Sequence, residues 1–249
     1  MHSQVRDRLE EAVQLLRQAT VIDSRCALAY VLLARCLGYL ISSSSAERTA
    51  NFAELGTELV SLARIAVECG KDDPEVLANA GLIIGQGSGD LNSGIALIEK
   101  SLMLHPHSID GLTLGGILYA HLGSTEKAVD YLQRAERVNP VEGSYIRSWA
   151  MAFAYFVEGS YQLALPLLSD SLRENPTYLA ALRLRAAICG LVGEQEDARS
   201  TVQRLLRLAP DWTVSRTRKF LNFVLGSSPN KQDLLDRFSK GLRLAGLPE

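Results

Sequence analysis

Several features that mark secreted and membrane proteins are missing from this sequence of 249 residues. Its cysteines show no paired spacing and stand among apolar residues, which excludes a disulfide or zinc framework and predicts reduced, buried thiols. They are Cys26, Cys36, Cys69 and Cys189. No apolar run reaches the roughly 18 residues that a bilayer span needs. No signal peptide precedes Arg6-Asp7-Arg8. We therefore expect a cytoplasmic protein that does not enter a membrane.

An excess of charge of one sign is also missing. The sequence holds 26 Lys and Arg against 28 Asp and Glu, for a formal net charge of −2. Proteins that bind nucleic acids or anionic membrane surfaces generally carry a strong positive excess. The charge balance therefore argues against both kinds of partner.

Recognisable catalytic or metal-binding constellations are lacking as well. The segment Gly85–Asp90 is rich in glycine but has neither the Gly-Lys-Ser/Thr ending nor the preceding strand of a phosphate-binding loop. We interpret it as a turn between helices. His105 and His107 flank Pro106 with no further ligands nearby, which is too few for a metal site. We predict no catalytic residue, no bound metal and no cofactor.

The sequence does contain a repeat. A small residue, a second small or apolar residue and a proline recur in a fixed order, with steps of 34, 36 and 34 residues between successive sets. The sets are Gly94, Ser101 and Pro106; Ala128, Ala135 and Pro140; Ala164, Ser171 and Pro176; and Ala198, Leu205 and Pro210. A period of this length indicates stacked helix–turn–helix units.

The rest of each unit resembles the tetratricopeptide (TPR) pattern. The unit 109–142 has large and small residues in the expected order: Leu112, Gly115-Gly116, Tyr119, Ala128, Leu132, Ala135 and Pro140. Small residues are needed where two helix backbones approach closely, and proline ends the second helix. The resemblance implies an all-α fold, a TPR solenoid in which antiparallel helix pairs form a right-handed superhelix with capping helices.

This register predicts a single array in which flanking helices enclose five repeats. The predicted boundaries are a lone N-terminal helix over 3–20, a repeat with an insertion over 27–73, repeats over 74–108, 109–142, 143–178 and 179–212, and C-terminal capping helices over 213–249. The insertion is expected around Ser42-Ser43-Ser44-Ser45. Ser228 and Pro229 are expected to start the last helix.

In TPR proteins the first helix of each pair lines a concave groove, and the resemblance implies which residues lie there. The candidates for peptide binding are Arg35, Tyr39, Asn79, Gln86, Thr113, Ile117, His121, Trp149, Phe153, Phe156 and Arg183. The Lys and Asn residues of the TPR carboxylate clamp are absent. The centre of this groove is aromatic, with Trp149, Phe153 and Phe156 on one helical face. The alternative is that these aromatic residues belong to the core.

The end of the chain carries a second resemblance. The run Arg204–Val214 and the ending Leu242–Glu249 resemble the tail of a bacterial group in which a class III adenylate or guanylate cyclase domain, or a winged-helix DNA-binding domain, precedes a TPR array. The resemblance implies a regulatory or assembly module. A lone N-terminal helix fits a chain that begins inside a repeat of a longer protein.

Three functions remain open from the sequence. The first is a non-catalytic protein–protein interaction scaffold, the regulatory or assembly TPR region of a larger bacterial signalling protein, acting on a domain in cis. The second is a stand-alone adaptor that binds a helical or extended peptide in its groove. The third is an enzyme with an unrecognised site. A homo-oligomer is also expected to be possible, because the helix over Gln4–Ala19 should present an unpaired apolar face.

Overall fold

The computed structural model describes residues 2–43 and 52–249, and within these ranges the chain forms thirteen α-helices and no strand. Their bounds are α1 His2–Ile22, α2 Ala27–Ser43, α3 Phe52–Cys69, α4 Pro74–Gly87, α5 Leu91–Leu104, α6 Ile109–Leu122, α7 Thr125–Val138, α8 Ser144–Glu158, α9 Tyr161–Glu174, α10 Leu179–Val192, α11 Gln195–Leu208, α12 Val214–Val224 and α13 Lys231–Leu244. Helices α2 to α11 pack as five consecutive pairs, and each pair stacks on the next.

The second helix of four pairs ends where the repeated proline requires it to end. The residues before these prolines, His105, Asn139, Asn175 and Ala209, have φ between −148° and −124° and ψ between 80° and 105°. A residue that precedes proline is driven out of the α region by a clash with the proline ring. The regular spacing of the prolines therefore sets the length of the second helices.

The repeated small residues lie where the two helices of a pair touch. Ala128, Ala164 and Ala198 are completely buried at equivalent positions of α7, α9 and α11. In the preceding pair, Gly94 of α5 lies against Gly81 and Gly85 of α4, with no room for a side chain. The small residues thus bring the helix axes close together, and larger side chains fill the space around them.

The N-terminal helix α1 extends over residues 2–22, and its apolar face does not stand open as the sequence suggested. Val13 is buried against Leu33 and Leu40 of α2, with Leu9 and Leu16 beside it. The expected insertion lies partly outside the described residues, which resume at Phe52, while α2 itself continues through Ser43.

The C-terminal helices α12 and α13 contact more of the array than its last helix pair. Helix α13 packs along α10, where Gly190 and Gly241 bring the two backbones into direct contact. Helix α12 reaches back to α3 and α4, and Phe223 lies against Gly56 and Gly87. The C-terminal pair therefore crosses from the fifth helix pair to the first two, which the sequence did not predict.

The ends of α13 show how the C-terminal sequence holds this position. The helix begins at Lys231 with Asn230 as its N-cap residue, so the predicted start at Ser228 and Pro229 was wrong. At the other end, the N–H of Gly246 donates to Arg243 and the N–H of Leu247 to Leu242, with Gly246 at φ 85°. These are the two bonds of a Schellman motif, which glycine favours because it adopts positive φ without strain.

Candidate functional site

A cavity of about 1200 Å³ lies on the inner side of the array. The first helices of all five pairs (α2, α4, α6, α8 and α10) contribute to its wall. Seven of the eleven residues predicted for the groove line it: Arg35, Tyr39, Gln86, Thr113, Ile117, Trp149 and Arg183. Most of the predicted residues therefore lie around one space.

The other four predicted residues lie behind the cavity wall. Asn79 is buried, and its Nδ2 donates to the carbonyl of Glu75 at 2.9 Å. His121 is also buried and meets the ring of Phe153 edge-on, with centroids 5.3 Å apart. Phe153 and Phe156 belong to the largest hydrophobic core.

The position of α13 explains why the aromatic pair is buried. Phe238 of α13 packs on Phe156 with ring centroids 5.3 Å apart. Arg237 donates from its guanidinium to the carbonyls of Phe156 at 3.0 Å and Val157 at 2.9 Å. The end of α8 that would form an open groove is therefore covered by the chain itself.

Helix α12 supplies a wall of the cavity that the sequence did not reveal. Its residues Phe220, Phe223 and Val224 line the space opposite the first helices. The apolar residues of α12 were recognisable in the sequence. The sequence does not show that these residues face the inner side of the array, because their orientation depends on the contact of α12 with α3 and α4.

Arg183 is the most unusual group in the cavity wall. Its side chain is 5% exposed, and within the described residues its Nη1 makes no hydrogen bond and the guanidinium no ion pair. The guanidinium instead lies 4.3 Å from the ring centre of Trp212 and 5.1 Å from that of Phe220. Burial, with a smaller contribution from the nearby charge of Arg216, lowers its pKa to about 10.

A second arginine lies on Trp212. The guanidinium of Arg216 is 4.0 Å from the centre of the indole ring and pairs with Asp211 at 3.2 Å. The Trp212 Nε1–H donates to Thr217 at 2.7 Å, which fixes the ring plane. Both guanidinium groups thus rest on one immobilised indole, and the ion pair of Asp211 among the described residues is with Arg216.

The other two arginines of the cavity wall have partners. Arg35 pairs with Asp110 at 3.6 Å. Arg147 donates to the carbonyls of Glu142 and Asn139, which holds the turn between α7 and α8 in place. Arg35 thus has an ionic partner, and the two terminal nitrogens of Arg147 have hydrogen-bond partners, within the protein.

Aromatic side chains form much of the remaining wall near Arg183. Tyr178 meets Tyr145 edge-on at a centroid distance of 5.1 Å and Trp149 at 5.9 Å. Burial raises the pKa of the Tyr145 hydroxyl and, more strongly, that of Tyr178, so both remain neutral. Thr113 on α6 is also buried, and its hydroxyl makes no hydrogen bond within the described residues. The wall is thus mainly apolar, with a few unpaired polar atoms.

One group of possible metal ligands occurs among the described residues, and its chemistry does not favour a metal. Atoms of Cys189, Glu194 and Asp197 lie within 4.8 Å of one another. Arg185 already pairs with Asp197 at 2.9 Å. Burial raises the pKa of the Cys189 thiol to about 11, which disfavours the thiolate that binds metals. We assign no site there.

The segment Gly85–Asp90 contains the last residues of α4 and the short turn that leads into α5. Gly85 and Gly87 belong to the end of α4, and Asp90 is the N-cap residue of α5. The carboxylate of Asp90 accepts from the N–H of Ser93 at 3.2 Å. The Asp90 side chain thereby caps the start of α5.

None of the helices in the described part of the chain combines the length and the apolar character that a membrane span needs.

Comparisons with known proteins identify the fold. No family model matches the sequence, and no curated protein matches it. The structure is similar to that of PilW, a type IV pilus biogenesis factor, with a TM-score of 0.57 and 14% identity over 74% of this chain and 83% of PilW. A tetratricopeptide repeat protein from Parabacteroides merdae ATCC 43184 gives a TM-score of 0.54 and 14% identity over 94% of this chain and 99% of the other.

The chain has the fold of a TPR solenoid. A similarity to the APC/C hetero-tetramer Cut9–Hcn1 agrees, with a TM-score of 0.63 and 13% identity over 93% of this chain. The match covers 40% of that chain, so the present TPR solenoid corresponds to less than half of it. At these identities the comparisons establish the shared fold.

Proposed function

We propose that this TPR solenoid is a non-catalytic protein–protein interaction scaffold, and that its inner cavity receives a segment of a partner protein. One observation carries the proposal: the first helices of all five pairs converge on a single cavity of about 1200 Å³. Trp149 and the α12 residues Phe220 and Phe223 give it aromatic anchors, a residue class enriched in binding hot spots. Because α12 and α13 already occupy part of the inner side, we favour an extended segment over a helix, which is 10–12 Å across.

Capture of the partner with a cavity variant tests this proposal. Trp149→Ala removes an anchor that lines the cavity, whereas Leu163→Ala removes an apolar side chain that is 55% exposed on α9, outside the cavity. We expect a partner captured by the wild-type chain to be lost with Trp149→Ala and kept with Leu163→Ala. Both variants must be folded at the temperature of the assay. Equal capture by both variants would contradict a role for the cavity.

We further propose that the chain is the regulatory or assembly region of a larger bacterial signalling protein, either adenylate cyclase-like or a winged-helix regulator. The support is the resemblance of its C-terminal sequence to such proteins. A stand-alone adaptor is the second candidate, since the fold suits it equally well. An antibody against this chain distinguishes them in the source cells: a band well above 27.2 kDa supports the larger protein, and a band at 27.2 kDa supports the adaptor.

A further inference from the structure

The guanidinium of Arg183 is a buried positive charge that lines a cavity. Arginine side chains are almost never fully buried unless they are paired, because a charge loses its hydration in the interior. Arg183 is 5% exposed, its Nη1 makes no hydrogen bond within the described residues, and no carboxylate there pairs with it. The guanidinium of Arg183 is therefore a buried donor group without a partner among the described residues.

The surroundings hold this guanidinium in place. Trp212 and Phe220 lie 4.3 and 5.1 Å from the guanidinium carbon, and Arg216 occupies a second position on the Trp212 ring. Asp211 pairs with Arg216 at 3.2 Å. Stacking on aromatic rings orients a guanidinium while leaving its N–H groups free in the ring plane. A positive charge therefore remains at this end of the cavity.

The number of available donors limits the charge of the anion. Three arginines and no lysine line the cavity within the described residues. Arg35 is paired with Asp110, and Arg147 donates to two backbone carbonyls, so Arg183 is the one of the three that makes neither a hydrogen bond nor an ion pair within the described residues. A phosphate or polyphosphate needs several positive groups or backbone donors. A single planar fork matches one carboxylate.

The remaining wall defines the rest of the ligand. Ile117, Trp149, Phe223 and Val224 present apolar surface, and the volume of about 1200 Å³ is somewhat above the usual range for small-molecule sites. We propose that this cavity binds a small monocarboxylic acid with an apolar body, whose carboxylate pairs with Arg183 and whose body lies against the aromatic and aliphatic wall. This site does not depend on the proposed partner segment, although an acid bound there would compete with a segment in the same cavity.

The two tryptophans of the chain provide the assay. Trp149 lines the cavity and Trp212 lies under Arg183, so intrinsic fluorescence reports on this site alone. The probes are decanoate and 6-phenylhexanoate, each compared with its neutral amide, and calorimetry gives the affinities independently. We expect at least one acid to bind at least tenfold more tightly than its amide.

The variants then test the assignment to Arg183. Arg183→Met and Arg183→Gln should abolish the preference for the acid over its amide. Arg185→Met is the matched control, because Arg185 lies on the same helix but pairs with Asp197 away from the cavity, and it should keep the preference. The proposal is overturned if neither acid binds better than its amide, or if the preference survives in a folded variant without Arg183. Neither result depends on partner capture.

Discussion

Replacing Arg183 with methionine should stabilise the folded chain, which is the reverse of what most substitutions of buried residues do. Burial lowers the pKa of the guanidinium to about 10, against an ordinary value near 12.5. At about 1.4 kcal/mol per pH unit, this difference corresponds to a destabilisation of about 3 kcal/mol at neutral pH. Methionine fills a similar space and carries no charge.

The substitution also removes a favourable interaction. The stacking of the guanidinium on Trp212 and Phe220 contributes about 1–2 kcal/mol when it is shielded from water. The net effect expected for Arg183→Met is therefore a gain of about 1–2 kcal/mol in the free energy of unfolding. A binding site that keeps a costly unpaired charge is expected to show such a gain when the charge is removed.

Urea unfolding followed by circular dichroism measures this difference. The midpoint of Arg183→Met should move to higher urea with an unchanged slope, since the surface exposed on unfolding is the same. Arg185→Met is the control, and it should lose up to about 1 kcal/mol because it breaks an ion pair that is partly exposed. A loss of 1 kcal/mol or more in Arg183→Met would mean instead that the charge of Arg183 is compensated in the folded chain.

Three further predictions concern the packing around the cavity. Phe156→Ala should lower the free energy of unfolding by about 3–5 kcal/mol, because the ring of Phe156 is completely buried. The loss should be at least 1 kcal/mol greater than that of Trp149→Ala, whose ring is partly exposed, and thermal unfolding compares the two variants. Gly241→Ala should lower the free energy of unfolding by about 1–3 kcal/mol, because the new methyl group meets the Ala187 carbonyl. Gly38 has open space around it, so Gly38→Ala should leave the free energy of unfolding unchanged or raise it by up to about 1 kcal/mol in the same experiment. Burial lowers the pKa of His121 from 6.5 to about 4, so the folded chain should lose stability as the pH falls from 6.5 towards 4. Over this window the free energy of unfolding should fall by about 3 kcal/mol more in the wild-type chain than in His121→Leu, which unfolding titrations measure.

Each of these predictions can fail clearly. Equal costs for Phe156→Ala and Trp149→Ala would mean that Phe156 is not in the core. A Gly241→Ala variant as stable as wild type would mean that α13 does not touch α10 there. If His121→Leu kept the full pH dependence, its imidazole would be exposed to water.

The repeat could be read from the sequence because its causes are local. The residue before each proline leaves the α region whatever surrounds it, so His105, Asn139, Asn175 and Ala209 all end helices where the prolines predict. The same register placed eleven residues in the groove, and seven of them line the cavity, among them Thr113, Trp149 and Arg183.

The failures of the sequence-based reading concern contacts between distant segments. Phe156 is buried because Phe238, 82 positions later in the sequence, packs on it. Phe223 becomes part of the cavity because α12 reaches back to Gly56 and Gly87. Helical periodicity shows that α12 and α13 have apolar faces. It does not show which surface those faces cover.

Site-specific photocrosslinking shows whether a partner binds in the inner cavity. A photoreactive phenylalanine analogue at Tyr39 lies at the cavity, and at Leu163 it lies outside; the two side chains are similarly exposed, at 47% and 55%. We predict a crosslink to a discrete partner from position 39 and none from position 163, under conditions in which Trp149→Ala prevents the crosslink. A partner crosslinked from position 163 and not from position 39 would mean that binding takes place on the outer surface and not in the cavity.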